Sequence, residues 1–268
     1  MCEHLENLAS GNRAKNRKTA LHGCISALST LDYHGQKDYF AVRNMQPKKL
    51  PRLKSTFSVD CVIFGVDDGV LKILLIERNE PPFKAWKAIP GNLVRDQEDI
   101  DDAAKRILYE LTGLKDIYLE QSYTFGRTNR HPQGRVITVS YYSLIQKTDD
   151  IRPVTGFAKT AFWCPVHELP KLAFDHREIV EKALAQLKHK INYQPIGFEL
   201  LPKRFTLTQL QHVYEAILEV NLDKRNFRKK MLSFGLLESC QEKQTGGSHR
   251  AASLYRFNKK RYHQLATK

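Results

Sequence analysis

Long hydrophobic runs are missing from this sequence of 268 residues. No apolar stretch approaches the roughly 20 residues that an α-helix needs to span a bilayer. The first residues, MCEHLENLASGNRAKNRK, also lack the apolar core of a secretory signal peptide. We therefore expect a protein that neither crosses a membrane nor is exported by such a signal.

Cysteine is scarce and widely spaced. No Cys-x-x-Cys pair occurs, and the number of cysteines is odd. This pattern is typical neither of a disulfide framework nor of a structural zinc site. It predicts a protein of the reducing cytoplasm with no structural metal. The five residues are Cys2, Cys24, Cys61, Cys164 and Cys240.

Acidic residues are few relative to basic ones. The 29 Asp and Glu residues stand against 43 Lys and Arg residues, so the formal net charge is +14 at pH 7. Such an excess favours a polyanionic partner, which leaves nucleic acid, an anionic membrane and a phosphate-rich ligand open. The 41% of hydrophobic residues suffices for an ordinary core, and the length suits one large domain or two small ones.

The first two segments of the chain differ sharply. Residues 1–52 are polar and basic, which predicts a disordered leader; Met45 within it is an alternative start site. Residues 53–190 mix strands and helices, which indicates an α+β fold. There the runs VDCVIFGV and LKILLIER flank Asp-Asp-Gly, a strong hairpin signal. An amphipathic helix is predicted from about Asp99 to Leu111.

Residues 191–268 predict a winged helix-turn-helix. Thr206 can cap one helix and Asp223 a second, and Gly235 ends the second helix. LLESCQE and SLYRFN then indicate two strands around the polar loop KQTGGSHRAA. Helix, turn, helix, strand, loop and strand follow in the order of a winged helix.

The segment GNLVRDQEDIDDAAKRILYELTGL, residues 91–114, resembles the Nudix box G-x5-E-x7-R-E-U-x-E-E-x-G-U, in which U is a bulky aliphatic residue. One glutamate comes one residue late. The match, together with the preceding hairpin, implies the Nudix α/β/α sandwich. The matching positions are Gly91, Glu98, Arg106, Leu108, Glu110, Gly113 and Leu114.

The glutamates that would hold a metal are largely replaced in this box. In a Nudix hydrolase the run R-E-U-x-E-E places three carboxylates on one helical face, where they bind Mg²⁺. Here those positions are Ile107, Glu110 and Leu111, and aliphatic groups cannot coordinate a metal. We therefore expect no catalytic residue, no metal and no cofactor in the box. A hydrolase of nucleoside diphosphate derivatives that recruits Mg²⁺ through other carboxylates is the alternative.

A strongly basic helix is predicted after Asp223. Phe227, Met231 and Phe234 form one apolar stripe, and basic side chains cover the other faces. Residues 201–268 carry 14 basic against 5 acidic residues, which favours DNA binding over an ordinary solvated face. The expected DNA-binding residues are Lys224, Arg225, Asn226, Arg228 and Lys229 in the helix, with His249 and Arg250 in the wing.

A degenerate Nudix box followed by PIGFELLPKRFTLTQLQHVYEAI and DKRNFRKKM resembles the NrtR-like Nudix-related transcription regulators, with the closest likeness to their sugar-responsive AraR-type members. The likeness covers about residues 55–262. It implies a homodimer that binds a double-stranded DNA operator and whose Nudix domain binds a small effector, ADP-ribose or a sugar. Neither the effector nor the direction of control follows from the sequence.

The effector site that the fold implies lies between the box helix and the neighbouring strands. Two other residues that look catalytic have simpler interpretations: His131 as a solvated loop histidine and Asp175 as the cap of the following helix. The effector-binding candidates are Arg78, Trp86, Glu110, Phe125 and Arg135.

Overall fold

The first two strands form the hairpin that the sequence predicts. The computed structural model of the chain describes residues 56–243 and 252–266. In it, β1 (Thr56–Asp67) pairs antiparallel with β2 (Val70–Arg78). Asp68 and Gly69 between them both have positive φ, 50° and 75°, which a two-residue type I′ turn requires.

The two strands belong to a mixed sheet. In the described part of the chain this sheet has seven strands, the others being β3 (Lys87–Ala88), β4 (Gly91–Leu93), β5 (Glu120–Phe125), β6 (Val136–Leu144) and β7 (Ala158–Pro165). The main path is β3-β2-β1-β6-β5, while β4 pairs with β1 and β7 with β2. β1 is parallel to β6 and antiparallel to β2 and β4, which places β1 at the centre.

Alternate residues of β1 face two different hydrophobic layers. Cys61 and Ile63 pack with the box helix, α1 (Ile100–Thr112). Val62 and Phe64 point the other way, toward α2 (His176–Tyr193). Successive side chains of a strand point to opposite faces, so the sheet lies between two helices. The predicted α/β/α sandwich is confirmed.

The box helix ends where the sequence predicts. Gly113 adopts φ 79°, and its N–H donates to the carbonyl of Tyr109 at 2.8 Å. A Cβ added to Gly113 would lie 2.9 Å from the carbonyl oxygen of Arg152. Both the left-handed backbone and the close approach therefore require glycine at this position.

The C-terminal part has the predicted winged-helix order. Thr206 and Gln209 form a capping box at the first helix, and Asp223 accepts a hydrogen bond from the N–H of Asn226 at the second. A last helix was not predicted; Asn258 accepts from the N–H of Arg261 at its start. The elements are β8 (Phe205–Thr206), α3 (Leu207–Leu218), α4 (Lys224–Ser233), β9 (Leu237–Lys243), β10 (Ser253–Phe257) and α5 (Lys259–Ala266), with strand order β8-β10-β9.

One apolar cluster joins the sandwich to the winged helix. Helix α3 packs on β1 and β2, and its Leu210 and Ile217 are completely buried in the cluster that contains Phe64 and Ile73. Helix α2 continues to Tyr193, past the expected domain boundary at residue 190. The described residues, 56–243 and 252–266, belong to one compact unit, so the boundary between the two motifs lies within a continuous core.

Some expectations concern residues outside the described ranges. The leader, residues 1–52, and the wing residues His249 and Arg250 belong to this group. Within residues 56–243 and 252–266, no helix is both long and apolar enough to cross a membrane.

Candidate functional site

A cavity of about 530 Å³ opens beside the central strand β1. The loop before β6, residues 130–135, forms one side, and Arg78 at the end of β2 contributes to its wall. Phe174 and His176, at the start of α2, also line it. The cavity therefore lies between the sheet and the N-terminal end of α2.

A buried charged cluster lies in the cavity wall. Asp60 stands in the middle of β1 and is only 5% exposed. Its Oδ2 lies 3.8 Å from Nη2 of Arg130, and its Oδ1 lies 3.5 Å from Nε2 of His176. Arg130 also donates to Asp175, through Nε at 2.8 Å and Nη2 at 2.6 Å. One buried guanidinium thus serves two carboxylates.

Burial controls the protonation of this cluster. Burial raises the pKa of Asp60 to about 7, although Arg130 acts in the opposite direction. Burial, together with Arg130 and Arg78, lowers the pKa of His176 to about 3, so this ring is neutral at pH 7. Its Nδ1 accepts from the N–H of Ile89 at 3.2 Å, which puts the proton on Nε2, facing Asp60. The wall therefore offers a carboxyl group that changes charge near neutrality.

Aromatic rings hold Arg78 in the wall of the cavity. The guanidinium of Arg78 lies 5.0 Å from the ring centroids of both Phe157 and Phe174, and its Nε donates to the carbonyl of Pro82 at 3.0 Å. The ring of His131 stacks on Phe174 with centroids 4.9 Å apart and 14° between planes. These contacts combine a fixed cation with flat rings, which suits a ligand that has anionic groups and a planar base.

The five effector-binding candidates do not converge on this cavity. Arg78 and Arg135 line it. Trp86 contacts Phe83 edge-on at 5.2 Å, Glu110 binds Arg95 and Arg106, and Phe125 is buried in the core beside α2. The assignment of effector-binding residues stays a prediction. Of the five candidates, only Arg78 and Arg135 line the cavity.

The two remaining glutamates of the box are held by one arginine. Nε of Arg106 donates to Glu98 at 2.6 Å and Nη1 to Glu110 at 3.0 Å, and the hydrogen bonds from Arg106 lower the pKa of Glu98 to about 2. Ile107 and Leu111 are completely buried, with 0% and 1% exposure. Because Mg²⁺ requires several oxygen ligands, these side chains do not fit it.

The rest of the described chain offers no replacement for that ligand set. In residues 56–243 and 252–266, no group of three or more His, Cys, Asp and Glu side chains is placed to hold a metal ion.

The sequence analysis did not identify the charged cluster of the cavity, and one of its interpretations was wrong. Asp175 precedes α2, but its carboxylate makes no cap hydrogen bond and binds Arg130 instead. His131 lies in a loop, as expected, but it is half-buried, stacks on Phe174 and lines the cavity. One signal was present: Asp60 interrupts the apolar run SVDCVIFGV, and burying a charge there is costly without a partner or a function.

The basic helix α4 has the predicted orientation. Phe227 and Met231 are buried, and Phe234 is half-buried. The side chains of Arg225 and Lys229 are exposed and make no hydrogen bond or ion pair with any residue in the described part of the chain, and the same holds for the side chain of Lys224.

Two other basic side chains of α4 have partners. Nη2 of Arg228 lies 3.4 Å from the hydroxyl of Tyr255, and Nζ of Lys230 donates to the carbonyl of Asn192 at 3.0 Å. Asn226 is exposed in the first turn of α4, so its side chain is accessible to a partner molecule.

Comparison with known proteins agrees with both halves of the structure. The family described as NUDIX domain matches residues 54–183, and the NrtR DNA-binding winged helix domain matches residues 197–257. A Shewanella oneidensis NrtR structure with a 27mer DNA superimposes with a TM-score of 0.65 and 30% identity, covering 75% of this chain and 93% of that one.

Two curated relatives extend the comparison. The ADP-ribose pyrophosphatase of Methanocaldococcus jannaschii is 30% identical over 60% of this chain and 91% of its own length. The ADPR responsive transcriptional repressor NtrR of Acinetobacter baylyi is 38% identical over 75% of this chain and 81% of its own length. With a Nudix sandwich, an NrtR winged helix and a repressor relative that matches across both, the chain belongs to the NrtR family of Nudix-related transcription regulators.

Proposed function

We propose that this protein is a repressor whose operator binding is controlled by ADP-ribose in the Asp60–Arg130 cavity. The observation that carries the proposal is the position of α2. Its first residue, His176, lines the cavity, and its last turns pack in the same apolar cluster as the winged helix. A ligand in the cavity thus contacts the element that reaches the DNA-binding module.

The chemistry of the cavity suits ADP-ribose. Arg78 and Arg135 are positioned to bind a diphosphate, which arginine recognises in bidentate fashion. The side chain of Asp60 can hydrogen-bond a ribose hydroxyl. A volume of about 530 Å³ lies in the range of small-molecule sites. The Acinetobacter baylyi relative is named as responsive to ADPR, which favours this effector over the sugar that the AraR-type likeness implied.

The regulator acts as a cytoplasmic homodimer without a metal cofactor. A two-fold dimer would place two α4 helices on an inverted repeat, with half-sites one or more helical turns apart. The effector changes operator occupancy only if it binds the DNA-competent and DNA-incompetent states with different affinities. We assign Lys224, Arg225, Asn226, Arg228 and Lys229 to the DNA interface, with His249 and Arg250 in the wing.

The second candidate function is hydrolysis of ADP-ribose. The Methanocaldococcus jannaschii relative, an ADP-ribose pyrophosphatase, favours it. The box opposes it, because Glu98 and Glu110 are paired with Arg106 and two metal-binding positions are aliphatic. We therefore propose that the cavity binds this ligand without cleaving it.

The test measures operator affinity with and without ADP-ribose, on a duplex that the full chain selects from random DNA. ADP-ribose is expected to weaken operator binding by about 5–150-fold. Arg78→Met should abolish this response. Arg127→Met is the matched control, since Arg127 is 73% exposed, pairs with Glu178 and does not line the cavity.

Two results would contradict the proposal. One is an operator affinity that ADP-ribose leaves unchanged, with a pentose acting in its place. The other is consumption of ADP-ribose in the presence of Mg²⁺ or Mn²⁺ at the rate of an ordinary enzyme, on the order of 1–10³ per second.

A further inference from the structure

Lys230 differs from three other basic residues of α4, and also from Arg228, whose guanidinium contacts Tyr255 within the winged helix. It donates its ammonium group to the carbonyl of Asn192 at 3.0 Å, whereas Lys224, Arg225 and Lys229 have no partner among the residues that the structure describes. Its charge is therefore directed at the Nudix half of the chain. A basic side chain in a recognition helix would ordinarily be assigned to a DNA phosphate, and this contact points to a different role.

The acceptor of Lys230 is the C-terminal end of α2. The last four carbonyl groups of a helix have no partner within the helix, and the helix dipole gives that end a partial negative charge. An ammonium group is favourable there on both grounds. A second contact supports the first, because Nζ of Lys188 lies 2.5 Å from Glu219 at the end of α3. Helix α2 is thus tied to both helices of the helix-turn-helix.

The opposite end of α2 is part of the cavity. Asp175, immediately before it, is held by Arg130, and His176, its first residue, is held by the N–H of Ile89. A helix of 18 residues rises about 1.5 Å per residue and so spans about 27 Å. One rigid element therefore connects the effector cavity with α4.

We propose that Lys230 is a positioning residue that couples the recognition helix to the effector cavity through α2, and that it does not bind DNA. This inference rests on the proposed function, since it assigns the route by which the cavity controls operator binding. An anionic ligand competes with Asp175 for Arg130 and loosens the start of α2. Lys230 transfers the resulting shift to α4.

The experiment compares Lys230→Met with Lys229→Met in the full chain. Operator affinity is measured over a salt series, with and without ADP-ribose. Lys230→Met is expected to keep the wild-type salt slope and to reduce the ADP-ribose effect by about threefold to tenfold. Lys229→Met is expected to lower the salt slope by about 0.9 and to keep the ADP-ribose effect. Lys230→Arg, which retains a donor, should resemble the wild type.

Three results would overturn the inference. A Lys230→Met protein whose salt slope falls by about 0.9, with its ADP-ribose response intact, would make Lys230 a phosphate contact. A Lys230→Met protein with both the wild-type salt slope and the wild-type ADP-ribose response would show that the contact between Lys230 and Asn192 has no consequence. Without DNA, amide hydrogen exchange in α4 should be faster in Lys230→Met than in Lys229→Met, and equal exchange would also overturn it. A wild type that ignores ADP-ribose contradicts the proposed function instead, and the salt slope and exchange then still test Lys230.

Discussion

Arg130 holds Asp175 through two hydrogen bonds, at 2.8 Å from Nε and 2.6 Å from Nη2, directly before the first residue of α2. The side chain of Arg130 is only 4% exposed, so little water competes for this pair. The carboxylate of Asp175, which the sequence predicts as a helix cap, instead orients the arginine that faces Asp60. The same pair therefore shapes the cavity and fixes the start of the helix that leads to the winged helix.

The affinity for ADP-ribose should fall as the pH rises through about 7. Burial raises the pKa of Asp60 from its ordinary 3.8 to about 7, so below that pH the folded protein holds this carboxyl neutral. Above it, the ionised Asp60 repels the diphosphate. Between about pH 6 and pH 8 we expect a loss of about threefold to tenfold by calorimetry. Asp60→Asn should give a flat profile, and an unchanged slope in that variant would assign the titration to another group.

Arg225 and Lys229 should differ in how they bind DNA. Both are exposed on α4 and free of partners in the described part of the chain. If Arg225 reads a base, Arg225→Ala costs about 1–3 kcal/mol on the operator and relaxes specificity at one position. Lys229→Ala should weaken all duplexes alike and lower the salt slope by about one. Equal losses for Arg225→Ala on the operator and on a scrambled duplex would show that Arg225 does not read sequence.

Restoring a box glutamate should damage the fold rather than rebuild a metal site. Ile107 is completely buried against the sheet, so Ile107→Glu places a charge in an apolar layer. We expect a loss of roughly 3–5 kcal/mol in the free energy of unfolding, measured with denaturant. Ile107→Leu should cost less than about 1.5 kcal/mol. A stable Ile107→Glu protein whose melting temperature rises with Mn²⁺ would refute this view of the box.

The sandwich and the winged helix should unfold together. Ile217 on α3 is completely buried in the apolar cluster that both halves share. Ile217→Ala should destabilise the protein by about 2–5 kcal/mol and keep one cooperative transition by both circular dichroism and tryptophan fluorescence. Leu232→Ala, at a residue 40% exposed, should change stability by less than about 0.5 kcal/mol. Two separate transitions in the Ile217→Ala protein would mean that the halves fold independently.

Local signals in the sequence were enough for the fold and for the amphipathic basic helix α4. The Asp-Gly hairpin, the Gly113 cap, the caps at Thr206 and Asp223 and the Phe227 stripe each depend on residues close together in the chain. Their physical causes, namely turn geometry, capping and amphipathic spacing, act over a few residues. The box itself also shows which consensus glutamates are replaced, because residue identity can be read without a structure.

The cavity was decided by the tertiary structure. Asp60, Arg130 and His176 are far apart in the sequence and meet only when β1, the loop before β6 and the start of α2 come together. The same holds for Lys230, whose partner Asn192 lies 38 positions away. The sequence determines which groups of a side chain can ionise or form hydrogen bonds. Burial and neighbouring residues determine its charge and its role. The position of Asp175 before the helix predicted a cap. The carboxylate binds Arg130 instead, because hydrogen bonds between charged groups are stronger.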